Sequence, residues 1–107
     1  MSIEKGKEVI RMEAEAIQAL EEKIGEEFQK AIDILLACKG RVIITGLGKS
    51  GIIGQKIAST MTSTGTAAIF IHAAEGLHGD LGAVLKDDVV ICISKSGSTI
   101  EILNLMP

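Results

Sequence analysis

Aromatic side chains are nearly missing from this chain, which has two Phe, no Tyr and no Trp in 107 residues. Single-stranded nucleic acid is usually gripped on aromatic stacking platforms, so that function class starts without its main device. A basic face is missing too. Eleven Lys and Arg stand against fourteen Asp and Glu, for a net charge of −3. The acidic excess sits in residues 1–40, with six basic and nine acidic side chains, while residues 41–107 carry five of each. Neither a nucleic-acid backbone nor an anionic membrane finds a matching surface in that distribution. No apolar run is long enough to span a bilayer, and the N-terminal stretch is charged throughout, unlike a signal peptide. A reducing cytoplasm is the expectation. The only two cysteines, Cys38 and Cys92, lie far apart and match no metal spacing. Cys92 stands inside an apolar run, where a thiol acts as a small hydrophobe. The chain shows neither an internal repeat nor a low-complexity segment.

What is present is apolar and patterned. The hydrophobic fraction is 47%, enough for a buried core in one domain. From Ile3 to Leu35, apolar residues recur at Ile3, Ile10, Ile17, Leu20, Ile24, Phe28, Ile32 and Leu35. Steps of three, four and seven make one helical face, with Glu4, Glu8, Glu15, Glu22 and Lys23 opposite. Gly25 is expected to split this element into two helices. The stripe is longer than a small sheet can cover, so part of it is expected to pack on a partner subunit. After Gly40 the pattern changes to short Val- and Ile-rich runs, "RVIIT" (41–45), "AAIFI" (67–71) and "DVVICIS" (88–94). Runs apolar on both faces are typical of parallel strands. Between the first two, "IIGQKIASTMTST" has helical spacing and stops at Gly65, with Gly54 and Ala58 placed to let that helix approach the sheet. "IEILNLM" opens a further helix after Thr99. The order predicts an α/β fold, a doubly wound parallel sheet, preceded by one long or two short helices. Residues 1–39 read as a helical arm and 40–107 as the βαβ-β-α core of one domain. Three strands and a last helix that stops at Pro107 leave a sheet edge open, so a truncated domain, or one completed by another copy, is expected.

The chemistry-bearing stretch follows the first strand: "GLGKSG", residues 46–51. It fits the G-x-G-x-x-G dinucleotide pattern, but that fold wants an acid at the end of the second strand, and His72 stands there. A nucleotide P-loop also fails, because the position five before Gly48 is Ile43, inside the strand. What remains is a turn for one phosphate. Gly46 and Gly48 allow tight backbone geometry, and Ser50 with the first amides of the next helix can donate to an anion. A second turn, "SKSGST" (94–99), offers Ser94, Ser96, Ser98 and Thr99 around Gly97. Four hydroxyls in six residues exceed the needs of one helix cap. Parallel strands place both turns at the carboxyl edge of the sheet, where open α/β sheets bind ligands.

"SKSGSTIE" resembles the S-x-S-G-x-[ST]-x-E signature of sugar isomerase (SIS) domains. The longer pattern "TGLGKSGIIGQKIASTMTSTGT…H…EGLHGDLG…DDVVICISKSGSTIEI" is similar to the arabinose-5-phosphate isomerase branch of that family, over about residues 10–107. The resemblance implies a flavodoxin-like sheet that oligomerises, with active sites at subunit interfaces. It also implies interconversion of D-ribulose 5-phosphate and D-arabinose 5-phosphate, an early step toward the lipopolysaccharide sugar Kdo. By resemblance, Gly48, Ser50, Ser94, Ser96 and Thr99 hold the phosphate, assisted by the amides of Gly97 and Ser98. Lys49 matches the family's active-site lysine, Glu101 a glutamate implicated in catalysis, and His78 a histidine beside the substrate.

Aldose–ketose isomerisation moves a proton between adjacent carbons through an enediol, so it needs a base within reach and a cation near the developing oxyanion. Lys49 and Glu101 supply those types. No cofactor and no required metal are implied, although the family histidine that His78 matches is sometimes associated with metal. Lys95 and Ser98 stand where the branch commonly has Asn and Glu. The family's late glutamate and histidine lie beyond this stretch, so the 107 residues alone are expected to fall short of full catalysis. Three alternatives stay open: an isomerase of a hexulose 6-phosphate, a non-catalytic phosphosugar-binding regulatory module, and a truncated chain that chiefly self-associates.

Overall fold

A computed structural model of the chain describes residues 1–72 and 84–94. Chain contacts divide it into two compact units, Met1–Asp33 and Ile34–Pro107. The first unit holds α1 (Ser2–Leu20), a short 3-10 turn (Glu21–Lys23) and most of α2 (Glu26–Leu36). The break falls where Gly25 was expected to make it. Ile24 turns extended, with φ −82° and ψ 107°, and α2 begins directly after Gly25. No residue of α1 or α2 is buried.

The second unit is built on a three-stranded parallel sheet of β1 (Val42–Gly46), β2 (Ala68–His72) and β3 (Val89–Ile93), in the order β2-β1-β3. All three strands lie within a residue of the Val- and Ile-rich runs that predict them. A 2-1-3 order opens the flavodoxin-like arrangement of doubly wound sheets. β1 is central and buried along its whole length, with Val42, Ile43 and Ile44 no more than 1% exposed. The flanking strands are only partly covered, and Val90 and Cys92 on β3 are exposed. Burial on both faces therefore holds for the middle strand alone. The core on one face gathers Val42, Ile44, Ala58 and Ala68, with Leu35, Cys38, Met61, Phe70, Ile91 and Ile93 packed against it.

Helix α3 (Gly48–Ser63) crosses from β1 to β2 on this face. Its approach is set by small residues. A Cβ on Gly54 would meet Phe70 at 3.0 Å and Ile44 at 3.1 Å, and one on Gly51 would meet the Gly46 carbonyl oxygen at 3.0 Å. At Gly51 and Gly54 even a methyl group would press on the sheet, while Ala58, a turn later on the same side, carries one and is buried. The helix begins four residues before the apolar spacing signals it, because "GKSG" reads as loop composition and the close seating of Gly51 and Gly54 is visible only in the fold. It ends as expected at Gly65, whose φ of +101° suits glycine alone. The helix expected after Thr99 lies outside the described residues.

The amino edge of the sheet is tied by side-chain and backbone bonds. Asp88 accepts the Arg41 amide at 2.7 Å through Oδ1 and the Leu85 amide at 2.7 Å through Oδ2. The Arg41 guanidinium adds an ion pair at 3.5 Å, and the Asp88 side chain is 2% exposed. Those two amides, with the nearby guanidinium, hold its carboxyl below the ordinary aspartate range against the cost of burial. The Cys38 thiol donates to the Arg41 and Asp87 carbonyls, each at 3.6 Å. Gly40 has no room for a side chain between them, since a Cβ there would collide with the Asp87 backbone at 2.8 Å.

Candidate functional site

The carboxyl edge is where the sequence puts its phosphate turns, and the register shows how they meet. Gly46, the last residue of β1, pairs with His72 at the end of β2 and with Ile93 at the end of β3. All three strands therefore stop at one level, and Ser94 leaves β3 beside the turn that leaves β1. A Cβ on Gly46 would meet the Ile93 carbonyl oxygen at 3.0 Å, the Gly51 amide nitrogen at 3.1 Å and the Ser50 carbonyl carbon at 3.2 Å. Backbone from two sides converges on that glycine. It is the point at which the first turn of α3 and the end of β3 are pressed together.

From there the chain turns through Leu47, extended at φ −117° and ψ 152°, into Gly48 at φ +54°. That left-handed value favours glycine. The first helical bond runs from the Gly51 amide to the Leu47 carbonyl at 3.2 Å. The amides of Gly48, Lys49 and Ser50 precede it and belong to the donors a helix leaves without intrahelical partners. Leu47 stands at the N-cap, where it has no oxygen to offer them, and no side chain caps the helix. No acid stands in the first turn either. Three amides at the positive end of a sixteen-residue helix, without a capping side chain among the described residues, form a place suited to an anion. Ser50 is half-buried against the sheet end, and Gly48 and Lys49 are exposed.

The G-x-G-x-x-G spacing thus splits into two jobs. Gly46 and Gly48 shape the turn; Gly51, with Gly54 a turn later, seats the helix on Phe70 and Ile44. A dinucleotide reading needs an acid at the end of β2, and that position is His72, whose ring meets Phe70 edge-on at 6.4 Å and 79°. Of the expected site residues, the model brings Gly48, Lys49, Ser50 and Ser94 to one edge. His78, Ser96, Gly97, Ser98, Thr99 and Glu101 lie outside the described residues, as does Lys95. Among the described residues, no three metal-ligating side chains come together. None of the described helices is long and apolar enough to cross a membrane.

Two features escaped sequence reasoning. Thr45, one residue before the turn, is 4% exposed, and its hydroxyl finds no partner among the described residues. A threonine ending a β-run reads as ordinary strand composition, so nothing flagged it. Phe70 is the second. It looks like one more core residue in "AAIFI", yet it is what Gly51 and Gly54 make room for. Cys92 lies in the apolar strand as expected, but the strand does not bury it. It is exposed on its strand, although partial burial still pushes its thiol upward and disfavours the thiolate.

The comparisons agree with this geometry. The SIS domain family model matches residues 35–107. An arabinose 5-phosphate isomerase, KdsD, of Pseudomonas aeruginosa is 50% identical over 105 residues, which is 98% of this chain and 32% of that protein. The arabinose 5-phosphate isomerase GutQ of Escherichia coli is 45% identical over 102 residues, covering 95% of this chain and 32% of its own length. The chain spans about a third of the length of these curated relatives. Among solved structures, a phosphosugar isomerase described as putative and involved in capsule formation in Bacteroides fragilis superposes with a TM-score of 0.93 at 35% identity, covering 98% of this chain and 56% of that one. The E. coli CFT073 protein c3406, solved in complex with arabinose 5-phosphate, gives 0.79 at 46% identity over 94% of this chain and 57% of its own. A family match over more than half the chain and the 2-1-3 sheet with its uncapped helix lead to one conclusion: the chain belongs to the SIS domain family.

Proposed function

We propose that this chain is the phosphosugar-binding part of an aldose–ketose isomerase that interconverts D-ribulose 5-phosphate and D-arabinose 5-phosphate. The observation that carries the reading is the convergence at Gly46, which sets the open amides of α3 beside the start of the 94–99 turn. The relatives named as arabinose 5-phosphate isomerases and the c3406 complex with arabinose 5-phosphate support the choice of sugar.

In this proposal the amides of Gly48 and Ser50, the Ser50 hydroxyl and the Ser94, Ser96, Gly97, Ser98 and Thr99 turn take the phosphate. Lys49, exposed one residue from that cradle, faces the oxygen that gains charge in the enediol. Glu101 moves the proton between the two carbons, and His78 lines the pocket. The reaction is redox-neutral overall and calls for no electron-carrying cofactor. Residues 1–39 act as an arm of the same domain whose core is 40–107. A cytoplasmic setting, service to Kdo synthesis and a homo-oligomeric assembly complete the proposal. Lys95 and Ser98, which differ from the branch pattern, favour one second reading, a related isomerase that takes a hexulose 6-phosphate.

Incubation with D-ribulose 5-phosphate, following formation of arabinose 5-phosphate, tests the reading in a protein that includes the remainder of the relatives' length. Lys49→Ala should lower kcat by about a hundredfold or more while phosphosugar binding persists, the scale of losing one stabiliser of a developing oxyanion. Turnover of fructose 6-phosphate in preference would select the second reading. Saturable phosphosugar binding without turnover of either sugar would overturn the enzyme reading in favour of a regulatory module.

A further inference from the structure

Among the described residues, one buried side-chain oxygen has no hydrogen bond. It is the hydroxyl of Thr45, a residue 4% exposed that stands one position before the glycine turn. Such a group gives up its bonds to water and gains none in return, so it costs stability. Valine has the same shape, suits a strand as well and carries no such cost. Packing alone therefore has no use for this hydroxyl.

Its place in the sheet supplies one. Side chains alternate along a strand, and Val42 and Ile44 pack with Ala58 of α3, so Ile43 and Thr45 belong to the other face. Thr45 pairs with Cys92 of β3. Ile91 and Ile93 lie against the cluster on the α3 side, which leaves Cys92, and the half-buried Ser94 after it, on the face of Thr45. A strand spacing of about 4.8 Å and a two-residue offset of about 6.6 Å set the Thr45 and Ser94 Cα atoms roughly 8 Å apart. Two hydroxyls leaning together across that distance are separated by the span of one water. Cys92, opposite Thr45 on the same face, is exposed and gives water a way in. We propose that Thr45 is a positioning residue of the phosphate site, its hydroxyl orienting that of Ser94 through one bridging water. The inference rests on the phosphosugar reading above. A serine hydroxyl has one proton and two lone pairs. With its proton directed at a phosphate oxygen, Ser94 becomes a better acceptor, and each donor behind it strengthens the next bond in the chain. The Thr45 proton stands at the far end of that chain. Its contribution falls on the loaded site and not on the empty fold.

The test is calorimetric titration with D-arabinose 5-phosphate and, separately, inorganic phosphate, in a protein that includes the remainder of the relatives' length. Thr45→Val should melt no lower than the parent, yet bind both ligands about tenfold more weakly, the scale of one hydrogen bond lost from the loaded state. In turnover, KM should rise by the same factor with kcat nearly unchanged. Thr45→Ser keeps the hydroxyl and should bind nearly as the parent does. Thr45→Val added to Ser94→Ala should weaken binding no further than Ser94→Ala alone, because the two side chains act as one unit. Unchanged affinity in Thr45→Val would overturn the proposal. So would a Thr45→Ser variant as weak as Thr45→Val, or losses that simply add in the double variant. A loss confined to the sugar phosphate, with inorganic phosphate bound as before, would move Thr45 to the sugar and overturn it as well. A parent that binds neither ligand would bring down the phosphosugar reading itself, and this inference with it.

Discussion

At the amino edge of the sheet, a carboxylate holds two backbone amides and a thiol reaches two carbonyls. At the carboxyl edge, the corresponding positions are glycines, a leucine at a helix cap and a run of amides that no described side chain fills. Both edges belong to the same five-residue strands, in the same register. What differs is who supplies the missing hydrogen-bond partners. The amino edge is completed by the protein itself, and its polar groups go to stability. Among the described residues, the carboxyl edge shows no such side-chain ties, and the first amides of α3 have no capping side chain there. A buried polar group such as the Asp88 carboxylate has to be satisfied from within, whereas Gly48 and Lys49 are exposed and water or an anion can complete their amides.

The largest break in this contrast should come from Gly46→Val. The first carbon of any side chain there lies 3.0 to 3.2 Å from backbone atoms of Ile93, Gly51 and Ser50, none of which is the movable end of a side chain. A branched side chain has to push α3 away from β3, at a cost of roughly 1–3 kcal/mol or more in thermal or denaturant unfolding. Because the same shift separates Ser50 from Ser94, calorimetric affinity for a sugar phosphate should fall with it. A variant that loses stability yet binds phosphosugar as before would show that the two turns do not act as one site.

Much of this edge was readable before the fold was known, for identifiable reasons. β1 announces itself because both its faces are buried, which leaves "VII" unbroken by polar residues. The Gly65 stop is legible because a positive φ has a strong residue preference. The start of α3 is not legible. Lys49, Ser50 and Gly51 carry loop composition, and the close seating of Gly51 and Gly54 against Gly46, Ile44 and Phe70 is visible only in the fold. Asp88 was equally opaque. It stands 47 positions from Arg41, and an acid at the start of a strand looks like ordinary solvated surface until the register brings the two together. Spacing alone points to a one-phosphate turn with Ser50 and a second turn starting at Ser94, whereas the part expected of Lys49 comes from resemblance to a family motif.

Asp88→Asn should produce the intermediate effect, and only on stability. Asparagine keeps one carbonyl oxygen, so one of the two amides at 2.7 Å loses its acceptor, and the charge facing Arg41 disappears. The sign of the pH dependence follows from the direction of the shift. The folded carboxyl is held below its ordinary value of 3.8, so the unfolded chain takes up the proton first. The stabilisation is therefore fully present above that value and is lost as the pH falls through the lower folded one. Melting temperatures of parent and variant should differ at neutral pH and converge under strong acid, with phosphosugar affinity equal throughout. A gap that stays constant down to acid pH would mean that the carboxylate charge contributes nothing at this edge.

Arg41→Ala sharpens the same point with the smallest expected change. The ion pair to Asp88 looks like the obvious bond at the amino edge, but it is long at 3.5 Å and its cationic partner is 37% exposed. Partly exposed pairs of this kind contribute little, because water screens the charges and two side chains must be held in one geometry. The stronger interaction is the Arg41 backbone amide on Asp88 Oδ1, which an alanine at position 41 still provides. The backbone bond from the Val89 amide to the Arg41 carbonyl, at 3.0 Å, survives as well. The melting temperature should therefore fall by less than half the loss seen for Asp88→Asn, and adding salt to the parent should reproduce part of that fall. If Arg41→Ala instead matched Asp88→Asn, the guanidinium would be the true tie, and the amino edge would be held by charge rather than by backbone amides gathered on one carboxylate.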